Sequence, residues 1–100
     1  MRDLINKTLA WAGERHLLDN SGPERQILKC MSELGEFADE VSKGDYEKMR
    51  MELGDVMVTL ILVAHKCSLD LEECLSHAYE KISNRKGMTK NGIFVKEEDT

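Results

Sequence analysis

The chain has few of the residues and motifs on which several common function classes depend. It contains one proline and seven glycines among 100 residues, so long helices can run unbroken and no linker divides the chain. It has no G-x-x-x-x-G-K-[S/T], G-x-G-x-x-G or G-x-S-x-G motif. P-loop, Rossmann and serine-hydrolase interpretations therefore have no support.

Basic clusters and long apolar runs are also missing. The net charge is −5, so we expect neither nucleic acid nor an anionic membrane as a partner. The most apolar stretch, residues 56–64, is far shorter than the roughly 20 residues that span a bilayer. The three cysteines lack C-x-x-C spacing, which favours reduced thiols in the core of a cytoplasmic protein over disulfides or zinc. We expect one soluble domain over residues 1–100.

Apolar residues recur at helical spacing through most of the chain, which predicts an all-α fold. The four predicted helices run from about Asp3 to Leu18, from Ser21 to about Lys43, from about Tyr46 to Lys66, and from Asp70 to about Lys86. Ser21 and Glu24 fit a capping box at the start of the second helix, and Pro23 lies in its first turn. Gly44 should end the second helix and Asp45 cap the third. After an Asn91-Gly92 turn the tail should be extended. We therefore predict a four-helix bundle with a short extended C-terminal tail.

One eight-residue pattern, K-x-x-x-E-L-G-[E/D], occurs twice, at residues 29–36 and 48–55. Residues three apart on a helix share a face, so each copy presents a pair of carboxylates. Four carboxylates suit a hard cation such as Mg²⁺ or Mn²⁺. The pattern thus predicts a metal site between two antiparallel helices.

The alternative is that these acids form an ordinary solvated face. Against it, like charges at this spacing cost a few tenths of a kcal/mol and a helical glycine about 1 kcal/mol, yet both occur twice. Gly35 and Gly54 would let the two backbones approach closely. The second acid pair also leads directly into residues 56–64, whose uniformly apolar character predicts a buried helix. The apolar stripe of the second helix, by contrast, lies on a different face from its acids.

Two features resemble one known family. E-x-x-E at 33–36, followed after a helix–turn–helix by E-x-x-D at 52–55, resembles the metal-binding signature of the MazG-like, all-α nucleoside triphosphate pyrophosphohydrolases. Residues 79–87 and 91–96 resemble the end of small single-domain members, including those common in phages. The resemblance extends over residues 11–96.

The resemblance implies hydrolysis of a ribo- or deoxyribonucleoside triphosphate to the monophosphate and pyrophosphate, in the cytoplasm, or the host cytoplasm if the chain is phage-encoded. dUTP, dCTP and phosphoribosyl-ATP hydrolases share this carboxylate arrangement and remain alternatives. Ser32 departs from the commonest family pattern, in which a further glutamate often stands. The implied Mg²⁺ ligands and catalytic residues are Glu33, Glu36, Glu52 and Asp55.

Other residues are candidates for binding the substrate. Lys81, Asn84 and Arg85, with Lys86 beside them, could donate to phosphate, although basic residues are favoured at any helix C-terminus. Trp11 could stack on a base or anchor a core or interface.

Further charged side chains flank the acids. Glu40 is either an accessory ligand or an ordinary solvated glutamate. Lys29 and Lys48, four residues before their acids, are predicted to screen them rather than to touch substrate.

A short chain has a modest core, since about 60–65% of its unfolded surface is buried on folding. A core shared in a homodimer or homotetramer would enlarge it, and the apolar half of the third helix is large enough for both purposes. The competing functions are a non-catalytic nucleotide-binding sensor and a helical protein-interaction module. A scaffold would have no reason to repeat a destabilising octet.

Overall fold

The computed structural model describes residues 1–19, 21–85 and 87–96, which form four helices and one β-hairpin. The predicted all-α class is confirmed, and the tail is extended as predicted, although its pairing into a hairpin was not foreseen. None of the helices in these described segments could span a membrane. The elements are α1 (Arg2–Glu14), α2 (Glu24–Lys43), α3 (Tyr46–Lys66), α4 (Leu71–Ser83), β1 (Gly87–Lys90) and β2 (Ile93–Lys96).

Helix α3 is the centre of the fold, because α1, α2 and α4 all pack against it. No residue of α2 or α4, both fully described, is buried. The predicted buried character of α3 is confirmed. The buried residues are Ile5 and Ala12 on α1 and Val56, Thr59, Ile61, Leu62 and Ala64 on α3.

A tight turn joins α2 to α3 and makes them antiparallel neighbours. Gly44 ends α2 in the left-handed conformation, with φ of 73°, which favours glycine. The Asp45 carboxylate accepts a hydrogen bond from the Lys48 backbone amide at 3.1 Å. Both predicted signals at this turn are confirmed.

The predicted end of the first helix was wrong. Helix α1 stops at Glu14 and not near Leu18, because His16 adopts φ of 59° and the Leu17 amide bonds back to the Ala12 carbonyl. This is the hydrogen-bonding pattern of a Schellman-type stop.

The predicted capping box at the start of α2 does not form. Pro23 occupies the N-cap position without a side-chain cap. The Ser21 hydroxyl instead donates to the Asp19 carbonyl at 3.3 Å and accepts from Lys66 Nζ at 3.0 Å. Lys66 thereby fixes the loop before α2 to the end of α3.

Helix α4 begins after Asp70, as predicted, but Asp70 does not cap it. Its carboxylate accepts two hydrogen bonds from the Arg2 guanidinium, at 2.8 and 2.7 Å, and this interaction lowers the pKa of Asp70. Arg2 also pairs with Glu72. These contacts tie the start of α1 to the start of α4. Helix α4 ends at Ser83, with Asn84 as its C-cap, so the predicted end near Lys86 was too late; Lys86 itself lies outside the described residues.

Two further predictions about small residues were wrong. A Cβ added at Gly35 or Gly54 would meet no atom within 4 Å, so neither glycine is needed for close approach of the helices within this chain. Cys67 and Cys74 are exposed rather than in the core, because one caps α3 and the other lies on the exposed α4, whereas Cys30 is half-buried. All three thiols are free, as predicted.

The tail reverses at the predicted Asn91-Gly92 turn, where both residues have positive φ. This two-residue turn suits the twist of a hairpin. Gly87 pairs with Lys96 and Lys90 with Ile93 in the antiparallel ladder.

Candidate metal centre

The face of α2 that packs against α3 carries acids rather than the apolar stripe. Its half-buried residues recur at three- and four-residue spacing: Gln26, Cys30, Glu33, Phe37 and Glu40. We call the contact between this face of α2 and α3 the seam. The apolar residues of the stripe lie beside the seam and are exposed: Ile27, Met31, Leu34 and Val41. The acids therefore enter the helix–helix interface while large apolar side chains remain outside it.

Three of the predicted ligands converge in this seam. One carboxylate oxygen from each of Glu33, Glu36 and Glu52 lies within 4.8 Å of the others. They meet because the acids of the two octets stand either 8 or 11 residues from Gly44, on opposite sides of the turn, and antiparallel helices bring such positions together.

Glu52 is the most constrained of the three. Its Oε2 atom is buried and has no hydrogen-bond partner among the described residues. Burial, followed by interaction with Glu36 and then with Glu33, raises the pKa of Glu52. Loss of hydration and nearby like charges both disfavour the ionised form of Glu52, whereas a nearby cation would favour it.

The donor set fits a hard divalent cation. Carboxylates offer acceptor oxygens, which Mg²⁺ and Mn²⁺ prefer. A bound cation would also partner the buried Oε2 atom of Glu52 and relieve the repulsion between the acids. The fourth predicted ligand, Asp55, is exposed and does not belong to the converging trio, but it lines the same cleft as Glu33.

A cleft of about 530 Å³ lies between α1 and the α2–α3 pair, beside Glu33 and Asp55. Leu4, Lys7, Thr8 and Trp11 form the α1 wall. The opposite wall comprises Lys29, Glu33, Asp55, Val58 and Thr59.

Trp11 presents a partly open indole to this cleft. Trp11 is 43% exposed, and the Arg15 guanidinium lies 4.8 Å from the centroid of its ring. Arg15 also donates to the Trp11 carbonyl at 3.3 Å. A cation stacked on one face helps to fix the orientation of the ring.

The α4 candidates lie elsewhere. None of Lys81, Asn84 and Arg85 lines the acid-bearing cleft of its own chain. Asn84 donates to the Glu80 carbonyl at 3.1 Å, and Arg85 borders a separate cavity with Tyr79 and its neighbours. Lys86 lies outside the described residues.

Glu40 is not the solvated side chain that its position suggested. It is only 12% exposed, and its Oε1 atom lies 3.6 Å from Lys43 Nζ. Its Oε2 atom is buried without a partner among the described residues. It nevertheless lies outside the converging trio.

Sequence reasoning missed Lys7 and Thr59 as cleft residues. The available signal for Lys7 was its position on the same face of α1 as Leu4 and Trp11, three residues after Leu4 and four before Trp11. Thr59 is buried, and its hydroxyl donates to the Val56 carbonyl at 2.8 Å. Its place one turn after Asp55 in an apolar run was the corresponding signal.

Comparison with known proteins identifies the family of this chain. The family model for the MazG nucleotide pyrophosphohydrolase domain matches residues 21–88. The chain belongs to the MazG family. The segment that matches the MazG model contains all four predicted ligands, whereas α1 precedes it.

One curated relative of this MazG protein comes from a phage. It is an uncharacterized 18.2 kDa protein in the rep-hol intergenic region of Haemophilus phage HP1 (strain HP1c1), 32% identical over 70 residues. The alignment covers 70% of this chain and 43% of the relative, so the chain spans less than half of that protein's length. No solved structure matches the chain significantly.

Proposed function

We propose that this MazG protein hydrolyses a ribo- or deoxyribonucleoside triphosphate to the monophosphate and pyrophosphate, with Mg²⁺ or Mn²⁺ as cofactor, in the cytoplasm. The observation that carries the proposal is the convergence of Glu33, Glu36 and Glu52 within 4.8 Å. The unpartnered Oε2 atom of Glu52 adds to it. A solvated acidic face would leave no carboxylate oxygen buried without a partner.

Glu33, Glu36, Glu52 and Asp55 would together hold the metal. A bound divalent ion supplies neutralisation of the polyphosphate and a lower pKa for a coordinated water. A carboxylate oxygen of the same set that is free of metal would accept the proton of the attacking water. Attack on the α-phosphorus forms a new P–O bond and breaks the bond to the β-phosphate oxygen, so pyrophosphate leaves.

The cleft beside α1 is large enough for a nucleotide, since ligand pockets measure roughly 300–1,000 Å³. Its acids lie on the α2–α3 wall and its aromatic surface on α1. We place the base against Trp11, where the indole face offers stacking that tolerates different bases.

A homodimer or homotetramer is the second part of the proposal. An apolar band lies next to the seam, because each of its residues comes directly after a residue of the seam. The band comprises Ile27, Leu34 and Val41 on α2, and Leu53 and Leu60 on α3. Because the helices are antiparallel, both lines flank the seam on one side. Between 37 and 53% of each band residue is exposed. A second copy of the chain would cover this band.

The proposed phosphate contacts of Lys81, Asn84 and Arg85 require the same association. These residues do not line the cleft of their own chain, so they would act on the cleft of a second copy. Helix α4 carries its own exposed apolar residues for that contact, including Leu75 and Tyr79.

The deciding experiment measures pyrophosphate release from each standard ribo- and deoxyribonucleoside triphosphate with Mg²⁺, with Mn²⁺ and with EDTA. We expect metal-dependent release concentrated on one or two bases. Glu36→Gln and Glu52→Gln should abolish it while helical content is retained. Glu47→Gln is the matched control, because Glu47 is an exposed glutamate of α3 that pairs with Arg50 outside the trio.

Two outcomes would contradict the proposal. Full activity in both glutamine variants would refute the assignment of the site. Metal-dependent nucleotide binding without pyrophosphate release, in folded protein, would instead identify a nucleotide-binding sensor.

A further inference from the structure

We propose that Lys7 and Lys29 bind the polyphosphate of the substrate from opposite walls of the cleft. The inference rests on the proposed function and adds to it a pair of phosphate-binding residues within a single chain. Lys7 comes from α1, which precedes the segment matched by the family model.

The two lysines converge on the space beside the acids. Both line the cleft of about 530 Å³ that Glu33 and Asp55 also line. They reach it from different helices, so their convergence depends on the packing of α1 against α3 and not on local spacing.

Neither lysine has its charge neutralised by the acids nearby. Within residues 1–19, 21–85 and 87–96, no ion pair involves Lys7 or Lys29, whereas Lys43 pairs with Glu40 at 3.6 Å. A lysine that served only to screen the acids would be expected to lie within ion-pair distance of one. Both ammonium groups remain available to an anion in the cleft.

The octet repeat does not account for the position of Lys29. Lys48 holds the equivalent position in the second copy but does not line the cleft. Lys29 therefore lies on the substrate side through its place in the fold. The sequence predicted the same screening role for both lysines, but only Lys29 lines the cleft.

An acid-lined cleft needs such cations. A triphosphate is a polyanion, and it approaches carboxylates that repel it even when a divalent ion offsets part of their charge. Lysine is a compact point charge suited to phosphate oxygens and not restricted to one donor geometry. Two ammonium groups on facing walls would hold the polyphosphate between them, next to the metal ligands.

The test measures binding of inorganic tripolyphosphate, with Mg²⁺ present, by isothermal titration calorimetry. Lys7→Met and Lys29→Met should each weaken binding about tenfold, the loss typical of one hydrogen bond to a charged group. Lys7→Arg should retain most of the affinity. Lys48→Met is the matched control, with the same charge change at the equivalent repeat position, and should bind within about twofold of wild type.

Turnover provides a second readout. Loss of a contact made equally in the ground and transition states raises KM and leaves kcat nearly unchanged. Wild-type affinity and KM in both methionine variants would overturn the inference while leaving the proposed function intact. Tripolyphosphate binding that depends on both lysines, in a protein that releases no pyrophosphate, would support the inference and refute the proposed function.

An effect of equal size in Lys48→Met would show a general charge effect and would also overturn the inference. Loss of affinity in one methionine variant alone would overturn the assignment of the other lysine. Circular dichroism of each variant, compared with wild type, separates these results from unfolding.

Discussion

Replacing Leu34 with lysine should dissociate the proposed oligomer without unfolding the protomer. Leu34 lies in the middle of the α2 line of the apolar band, with Ile27 and Val41 seven residues to either side. Its side chain points away from the seam, because the half-buried residue of that turn is Glu33. The substitution therefore changes the band and leaves the packing of α2 on α3 in place.

The expected loss of dimer affinity can be worked out from the exposed fraction of Leu34. Full burial of a leucine contributes about 1.5–3 kcal/mol. Leu34 is 53% exposed, so covering the remainder contributes about 1 kcal/mol per copy and about 2 kcal/mol in a symmetric dimer. Loss of this term alone raises the dimer Kd about 30-fold. Burial of the new ammonium group adds to the loss.

Sedimentation velocity over a series of protein concentrations measures this shift. Ser42→Lys is the control, since Ser42 is exposed on the same helix, outside the band, and the charge change is identical. We expect the control to associate like wild type. The proposal that a second copy covers the apolar band would be refuted by a wild-type protein that sediments as a monomer at all concentrations. It would also be refuted by a Leu34→Lys variant that associates like wild type.

Three further predictions concern the site and the core. Without metal, Glu52→Gln should have a higher melting temperature than wild type at neutral pH. The raised pKa of Glu52 destabilises the folded wild type as pH rises past the ordinary glutamate pKa. The difference in melting temperature should vanish in acid and reverse with saturating Mg²⁺, which stabilises only the protein that binds it. Leu62→Ala, at a position 3% exposed, should lower the free energy of unfolding by about 2–5 kcal/mol in urea denaturation. Trp11→Ala should weaken nucleotide binding in calorimetry while leaving tripolyphosphate binding unchanged; equal losses for both ligands would argue against base stacking.

Much of the acid centre could be predicted from the sequence because the signals are local. Glu36 and Glu52 each stand eight residues from Gly44, and an antiparallel hairpin with a tight turn must bring such positions together. The turn itself is marked by a glycine at the end of α2 and an aspartate cap, both of which behave as their chemistry requires. Short-range rules therefore sufficed to place the trio.

The partner of each helix face could not be predicted in the same way. Periodicity identifies an apolar stripe on α2, but the stripe faces outward and Glu33 and Glu40 face α3. Lys7 and Thr59 were missed as cleft residues for a related reason, since the contact of α1 with α3 is long-range and carries no sequence motif. The end of α1 was misjudged because a histidine, His16, takes the left-handed conformation there, where glycine is the usual signal of a helix end.

The tight turn at Gly44 and Asp45 also sets the order in which the protein can fold. Contacts between residues close in sequence form with little loss of chain entropy, and proteins of low contact order fold quickly. The α2–α3 hairpin has such contacts, whereas joining α1 to α4 through Arg2 and Asp70 closes a loop of most of the chain. We expect the hairpin to form first, so that the acids on α2 and α3 could meet the proposed cation before α1 packs against α3 to complete the cleft.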